Sequence, residues 1–181
     1  YQQADPIQQD TFRLLTEHRR KEVGLDQLIY LDETGIDSRE QYAYGWSKQG
    51  QRCNAKRSGG AGKRISLISA VRGSDPQRLI EPYIFTGHCD RSWVEQWLDK
   101  LCRSLPLGEK HYLILDNASF HRGGNIKKIV ESYGHSLMYL PPYSPELNPI
   151  EKCWGVLKQK IRLLLSQNIP LIEALDMVCS Y

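Results

Sequence analysis

The sequence predicts a mixed α/β domain whose sheet carries antiparallel strands at one side and parallel crossovers at the other. Three observations lead there. Residues 27–32 and 111–116 are apolar on both alternating faces, as strands covered on both sides are. Residues 64–71 and 79–85 are strand-like runs joined by the turn Gly73-Ser74-Asp75-Pro76, which makes an antiparallel meander. From Asp90 onward, helical periodicity alternates with short strands.

The elements follow in order. Asp5-Pro6 is a helix start, with Asp as cap and Pro at the first helical position. Ile7, Phe12, Leu14, Leu15 and His18 then trace a partly amphipathic helix to about Lys21. The first strand covers 27–32 and ends at Asp32, and residues 42–46 form a short strand candidate. Ser58-Gly59-Gly60-Ala61-Gly62 marks a loop ahead of the meander. Asp90 caps a helix whose stripe of Trp93, Val94, Trp97, Leu98, Leu101 and Cys102 has core spacing. After the strand 111–116 come a helix over 122–133, a strand over 136–140 and the stiff loop Pro141-Pro142-Tyr143-Ser144-Pro145. Asn148-Pro149 opens a helix to about Leu165, and Pro170 opens a last one.

The chain has 181 residues, enough for one domain with a real core and crowded for two. No apolar run approaches the roughly 20 residues that span a bilayer. The start lacks an initiator Met and a signal-peptide pattern, so a fragment of a longer intracellular protein is expected. The five cysteines, Cys53, Cys89, Cys102, Cys153 and Cys179, form no CxxC pair, which argues against zinc knuckles and disulfide frameworks. Cys102 and Cys153 fall at helical core spacing and read as buried thiols in a reducing compartment.

The formal net charge is +3, but it is unevenly spread. Between Glu40 and Asp75 there is no acid, while Lys48, Arg52, Lys56, Arg57, Lys63, Arg64 and Arg72 are all basic. A second acid-free run, between Glu151 and Glu173, holds Lys152, Lys158, Lys160 and Arg162. Segregated positive charge suits a polyanion such as nucleic acid, and also suits a solvated basic surface.

Two acids end the two buried strands, Asp32 and Asp116. Alternation puts Leu28, Tyr30 and Asp32 on one face, and Tyr112, Ile114 and Asp116 on one face. If the strands are parallel neighbours, about 4.8 Å apart, both carboxylates reach one hard cation. Glu151 is the third acid. By spacing alone it reads as the third position of a capping box with Asn148 as N-cap. The rest of that helix shifts the reading: Ile150, Cys153, Trp154, Leu157, Ile161 and Leu164 form its apolar face, whereas Glu151, Gly155, Lys158 and Arg162 share another. That second stripe suits a helix laying a metal ligand beside a phosphate backbone, or a solvated face. Three carboxylates without dedicated His or Cys favour Mg²⁺ or Mn²⁺. An acidic metal site in basic surroundings points to phosphodiester chemistry.

Leu31-Asp32-Glu33-Thr34-Gly35, Leu115-Asp116-Asn117-Ala118-Ser119-Phe120-His121, and Tyr143-Ser144-Pro145-Glu146-Leu147-Asn148-Pro149-Ile150-Glu151 with Trp154 and Lys158 resemble the catalytic domain of DDE transposases, in the bacterial insertion-sequence branch of the mariner-like superfamily. The 34 residues between Asp116 and Glu151 match that branch. The resemblance runs from about Leu28 to Leu165. It implies an RNase H-like (retroviral-integrase-like) fold with a mixed five-stranded sheet flanked by helices. It implies Asp32, Asp116 and Glu151 as the catalytic, metal-binding triad for two Mg²⁺ (or Mn²⁺) ions, with Asp32 shared between them. It also implies Asn117 and His121 beside the site or the DNA, a TA target, a dimer in a paired-end complex, and a cytoplasmic, nucleoid-associated bacterial protein without a membrane anchor. The expected division is a linker helix over residues 1–24 and a catalytic domain over 25–181, with the family's helix-turn-helix region absent from this chain.

Lys56, Arg57, Lys63, Arg64, Lys158 and Arg162 are the expected DNA contacts. Trp46, Trp93 and Trp97 read as core. Ser119 and Ser144 lack a context for covalent catalysis. The expected activity is therefore cut-and-paste transposition: metal-dependent cleavage at transposon ends and 3′-hydroxyl strand transfer. The alternatives are an RNase H-like nuclease or resolvase, and a non-catalytic domesticated DNA-binding derivative.

Overall fold

The structure, a computed structural model, describes residues 4–37, 47–51, 64–117 and 124–179. Its elements are α1 (Pro6–Val23), β1 (Leu28–Ile36), β2 (Ile65–Arg72), β3 (Leu79–Thr86), α2 (Arg91–Ser104), β4 (Tyr112–Leu115), α3 (Ile126–Ser132), β5 (Ser136–Tyr139), a 3₁₀ turn (Pro145–Leu147), α4 (Ile150–Ser166) and α5 (Leu171–Cys179). The strand candidate at 42–46 and Trp46 lie outside the described residues.

The five strands form one mixed sheet in the order β3-β2-β1-β4-β5. The β1–β2 and β2–β3 pairs are antiparallel, while β1–β4 and β4–β5 are parallel, so the expected division of the sheet holds. Alternation distributes the strand side chains to two cores. Leu28, Tyr30, Ile114 and Leu67 pack with Phe12 of α1, with Ile150, Trp154, Leu157 and Ile161 of α4, and with Leu175 of α5. Ile29, Leu31, Leu113, Leu115 and Ala70 pack with Val94, Trp97, Leu98 and Leu101 of α2 and with Ile126 and Val130 of α3. Leu28, Ile29, Leu113 and Ile114 are fully buried. Each such side chain contributes about 1.5–3 kcal/mol relative to exposure, which is why the two central strands read as apolar on both faces.

The helix starts follow local chemistry. Asp5 accepts from the Ile7 N–H at 2.9 Å with Pro6 in the first turn, and α1 stops at Gly24, whose φ of +97° favours glycine. Asp90 accepts from the Trp93 N–H at 3.1 Å and starts α2. Trp97 is buried and donates its indole N–H to the Glu81 carbonyl, whereas Trp93 is only partly buried against the same core. α1 is held to β4 through Glu22, which accepts from the Tyr112 hydroxyl at 2.9 Å and pairs with Arg19 and Lys110. The Arg19 hydrogen bond, then that of Tyr112, pull the Glu22 carboxyl down to about 2.

Three expectations need correction. β1 does not end at Asp32; it continues to Ile36 because its antiparallel partner β2 extends that far, pairing Ile36 with Ile65. α1 forms as the partly amphipathic helix expected, burying Phe12 and leaving Ile7 and Leu14 exposed. The third helix begins at Ile126, later than its periodicity suggested. Asn148 does not cap α4: the helix starts at Ile150 after Pro149 with no side-chain cap, and the Asn148 side chain instead donates its amide N–H to the Leu31 carbonyl while its Oδ1 is left without a partner.

Cys102 and Cys153 are buried free thiols as expected, and burial pushes Cys102 up to about 12. No helix among the described residues is long and apolar enough to cross a membrane.

Candidate active site

The parallel β1–β4 register pairs Leu28 with Tyr112, Ile29 with Leu113 and Tyr30 with Ile114. Carried two residues further, it sets Asp32 level with Asp116, just beyond the last β4 residue. Beyond this point β4 and β1 separate, and the chain leaves a cleft at the carboxyl end of β4, where α/β sheets place their sites. The loop after β5 and the start of α4 close the cleft from the other side. The result is one cavity of about 440 Å³ lined by Asp32, Asp116, Asn117 and Glu151, with Leu140, Pro141, Pro142 and Tyr143 as its walls. Tyr143 holds φ at +55°, a left-handed backbone unusual for an aromatic residue, and stands 57% exposed at the rim.

Asp32 is strongly perturbed. Its carboxyl is pushed up to about 8, chiefly by burial, then by the negative charges of Glu33 and Glu151. The Trp154 indole N–H, which donates to Oδ2 at 3.0 Å, and the Glu33 backbone N–H pull it back only partly. A buried carboxylate facing other carboxylates is uncompensated unless a cation joins it. That demand, and an all-oxygen donor set, fit a hard divalent ion. Among the described residues no group of three His, Cys, Asp or Glu side chains is placed to hold a metal ion. The acids instead line an open cavity, the form expected where substrate phosphates supply the remaining oxygens.

Glu151 lies in the first turn of α4 and is exposed, while Lys158 and Arg162 further along are half-buried. Gly155 on the same stripe is exposed, with open space where a Cβ would stand. Arg64 lies apart from these, exposed, with its guanidinium folded over Gly35. Lys56, Arg57, Lys63, Ser119 and His121 lie outside the described residues. Ser144 is buried and spent on structure: its hydroxyl donates to the Pro142 carbonyl and accepts from Gln9.

Two residues do more here than their sequence positions suggested. Trp154 sits on the apolar face of α4, yet its indole N–H reaches Asp32. Asn148, 3% exposed, donates its amide to the Leu31 carbonyl at 3.2 Å and lines the cavity. The signal for Trp154 was its indole N–H, since a buried indole requires an acceptor. For Asn148 no signal separated a cap from a long-range donor.

Residues 27–175 match the family model described as DDE superfamily endonuclease. The chain belongs to that family. A curated relative from Sinorhizobium fredii, the uncharacterized protein y4pE/y4sA, is 36% identical over 80 residues, which cover 44% of this chain and 53% of the relative. Among solved structures, the Mos1 transposase paired-end complex with left transposon end superposes with a TM-score of 0.66 at 20% identity, covering 84% of this chain and 47% of that one. The Mos1 mariner paired-end complex with Mn gives 0.66 at 16% identity, covering 94% and 57%. This chain thus spans about half the length of the relatives it matches. At those identities the superpositions establish the fold of this DDE endonuclease as RNase H-like, in agreement with the five-stranded mixed sheet.

Proposed function

We propose that this chain is the catalytic domain of a transposase that cleaves phosphodiester bonds at transposon ends and joins the freed 3′-hydroxyl to target DNA. The observation that carries the reading is the meeting of Asp32, Asp116 and Glu151, from β1, the end of β4 and the start of α4, in one cavity. Family membership supports it, as does the fold shared with mariner paired-end complexes, one of which contains Mn.

In this reading Asp32, Asp116 and Glu151 would hold two Mg²⁺ or Mn²⁺ ions. The ions supply Lewis acidity to the phosphate and stabilise charge on the attacking and leaving oxygens. The chain's own residues do the rest. Asp32 is held by Trp154 and by the backbone beneath it. Glu151 projects from the first turn of α4, and the Gly155–Lys158–Arg162 stripe beside it accepts a phosphodiester backbone by charge and by lack of bulk. The proline-walled side of the cavity limits water around the reacting phosphate. Among the described residues no side chain is placed to act as a covalent nucleophile, and water and the 3′-hydroxyl fill that role in turn. DNA is the partner, a TA dinucleotide the target, and a dimer on paired ends the working assembly; Asn117 and the bases Arg64, Lys158 and Arg162 serve the DNA.

The test uses the full-length protein on duplexes carrying the ends of the element that encodes it. Mg²⁺-dependent nicking is expected from the parent and not from Asp116→Asn. An Asn variant that cuts like the parent sinks the assignment. Joining of cut ends into a target plasmid separates a transposase from a nuclease or resolvase, which stops at hydrolysis.

A further inference from the structure

The helix that carries Glu151 also holds Asp32. Trp154 lies three residues after Glu151, almost one turn along α4, and is 3% exposed. Its ring packs in the core against the β1 and β4 side chains, and its only polar atom, Nε1, stands 3.0 Å from Asp32 Oδ2. Three residues before Glu151, Asn148 donates to the carbonyl of Leu31, the residue preceding Asp32. Two donors flanking one acid therefore grip the backbone and the side chain of the other, across 117 and 122 residues of sequence. Packing alone asks only for an apolar ring at position 154, and Phe would serve it. An indole is needed only to supply the N–H.

We propose that Trp154 is a positioning residue of the site: its indole N–H sets the orientation of the Asp32 carboxylate relative to Glu151, so that both acids meet a divalent cation as one preformed set. This rests on the metal-dependent reading above. A carboxylate free to rotate would have to be ordered by the cation itself, at a cost in affinity. Partners of this kind behind a metal ligand typically change metal affinity by about 10–100-fold when removed. Because one helix carries both Glu151 and Trp154, displacement of α4 moves the two acids together.

The experiment uses the full-length protein with ¹⁵N in its tryptophan indoles, Mn²⁺ as the calorimetric probe and Mg²⁺ for spectra. The Trp154 indole resonance is identified by its absence from Trp154→Phe. It is expected to shift in Asp32→Asn and on Mg²⁺ addition. Trp154→Phe is expected to melt within a few degrees of the parent, yet to need about 10–100-fold more Mn²⁺ for half-saturation. Benzothienylalanine at 154, which keeps the bicyclic shape and replaces N–H by sulfur, is expected to behave like Phe and guards against a packing effect. The proposal is overturned if the Trp154 resonance ignores Asp32→Asn, or if either N–H-deficient variant takes up Mn²⁺ as the parent does. If the parent binds no Mn²⁺ even with end duplex present to supply phosphate oxygens, the metal reading fails, and the response of the indole resonance to Asp32→Asn alone decides whether Trp154 orients that carboxyl.

Discussion

The side-chain amide of Asn148 donates to the main-chain carbonyl of Leu31 at 3.2 Å, joining the approach to α4 to the middle of β1. Leu31 is buried in the core that α2 and α3 cover, and the β1–β4 ladder ends one residue before it, at Tyr30 and Ile114. Asn148 thus replaces a strand partner at the point where the sheet opens into the cavity. Removing the amide leaves a buried carbonyl unsatisfied, which costs about 1–3 kcal/mol. Asn148→Ala is expected to lower stability in urea by that amount. It should also reduce Mg²⁺-dependent nicking at temperatures where the variant remains folded. Parent-like stability would show that the bond contributes nothing.

Glu151 is exposed and adds to the negative field on Asp32, so its charge is a cost to the metal-free fold. Glu151→Gln is expected to leave the melting temperature equal or slightly higher, while nicking falls by at least about 100-fold, the scale of a lost metal contact in the transition state. Melting curves and single-turnover nicking on one preparation check both halves.

The raised Asp32 carboxyl makes metal-free stability fall with pH. Between its ordinary 3.8 and about 8 the folded protein keeps a proton that the unfolded chain releases, so stability is full below that window and lost as pH rises through it. At about 1.4 kcal/mol per tenfold change in protonation, the loss is on the order of a few kcal/mol. Denaturation midpoints of the metal-free parent minus those of Asp32→Asn should decline across the window, and Mg²⁺ should flatten the decline. A flat difference would show that Asp32 ionises freely.

His111 and His135 meet edge to face at the start of β4 and β5, with ring centroids 5.0 Å apart. Burial holds both below the ordinary 6.5; the Arg72 charge lowers His111 further, and the neighbouring His111 lowers His135. Here the sign reverses: the unfolded chain takes up protons first, so stability is present above about 6.5 and lost as pH falls below it. Replacing His135 by Phe is expected to reduce that acid-side loss, measured as the parent-minus-variant difference so that the opposing Asp32 trend cancels. An unchanged acid limb would show that the pair is not coupled to unfolding.

Gly155 occupies an exposed position inside α4 with open space around it. Gly155→Ala is expected to stabilise the protein by about 0.5–1 kcal/mol, since alanine loses less backbone freedom in a helix. If the stripe lies along DNA, Gly155→Leu should keep the stability of Ala while weakening binding to end duplexes in a fluorescence titration. Undiminished binding by the Leu variant would place the DNA elsewhere.

The two aspartates were legible because each terminates a run apolar on both faces, and a charge at the end of such a run has few other reasons to be there. Alternation alone put both on the face that meets α4. The basic stripe on α4 was legible from helical spacing. Asn148 was misread because an N-cap and a long-range donor share the same residue type and the same place before a helix. Trp154 was assigned to the core correctly, but a helical wheel shows which face a residue takes, not which atom it touches. Of the apolar positions that make α1 partly amphipathic, Phe12 is buried while Ile7 and Leu14 stay exposed, because periodicity records the capacity to be covered and no element of the described fold covers them.

Sequence by itself determined the order of the elements and the sheet's division into antiparallel and parallel parts, since these follow from local pattern along the chain; pattern also singled out Asp32 and Asp116, whereas Glu151 was singled out through the motif resemblance. Only the tertiary structure decided that β1 and β4 are neighbours in a register that levels Asp32 with Asp116, and that α4 reaches back to hold β1 at two consecutive residues. Those relations join positions more than 80 residues apart. They depend on how the two cores pack against the sheet, and no local periodicity carries that information.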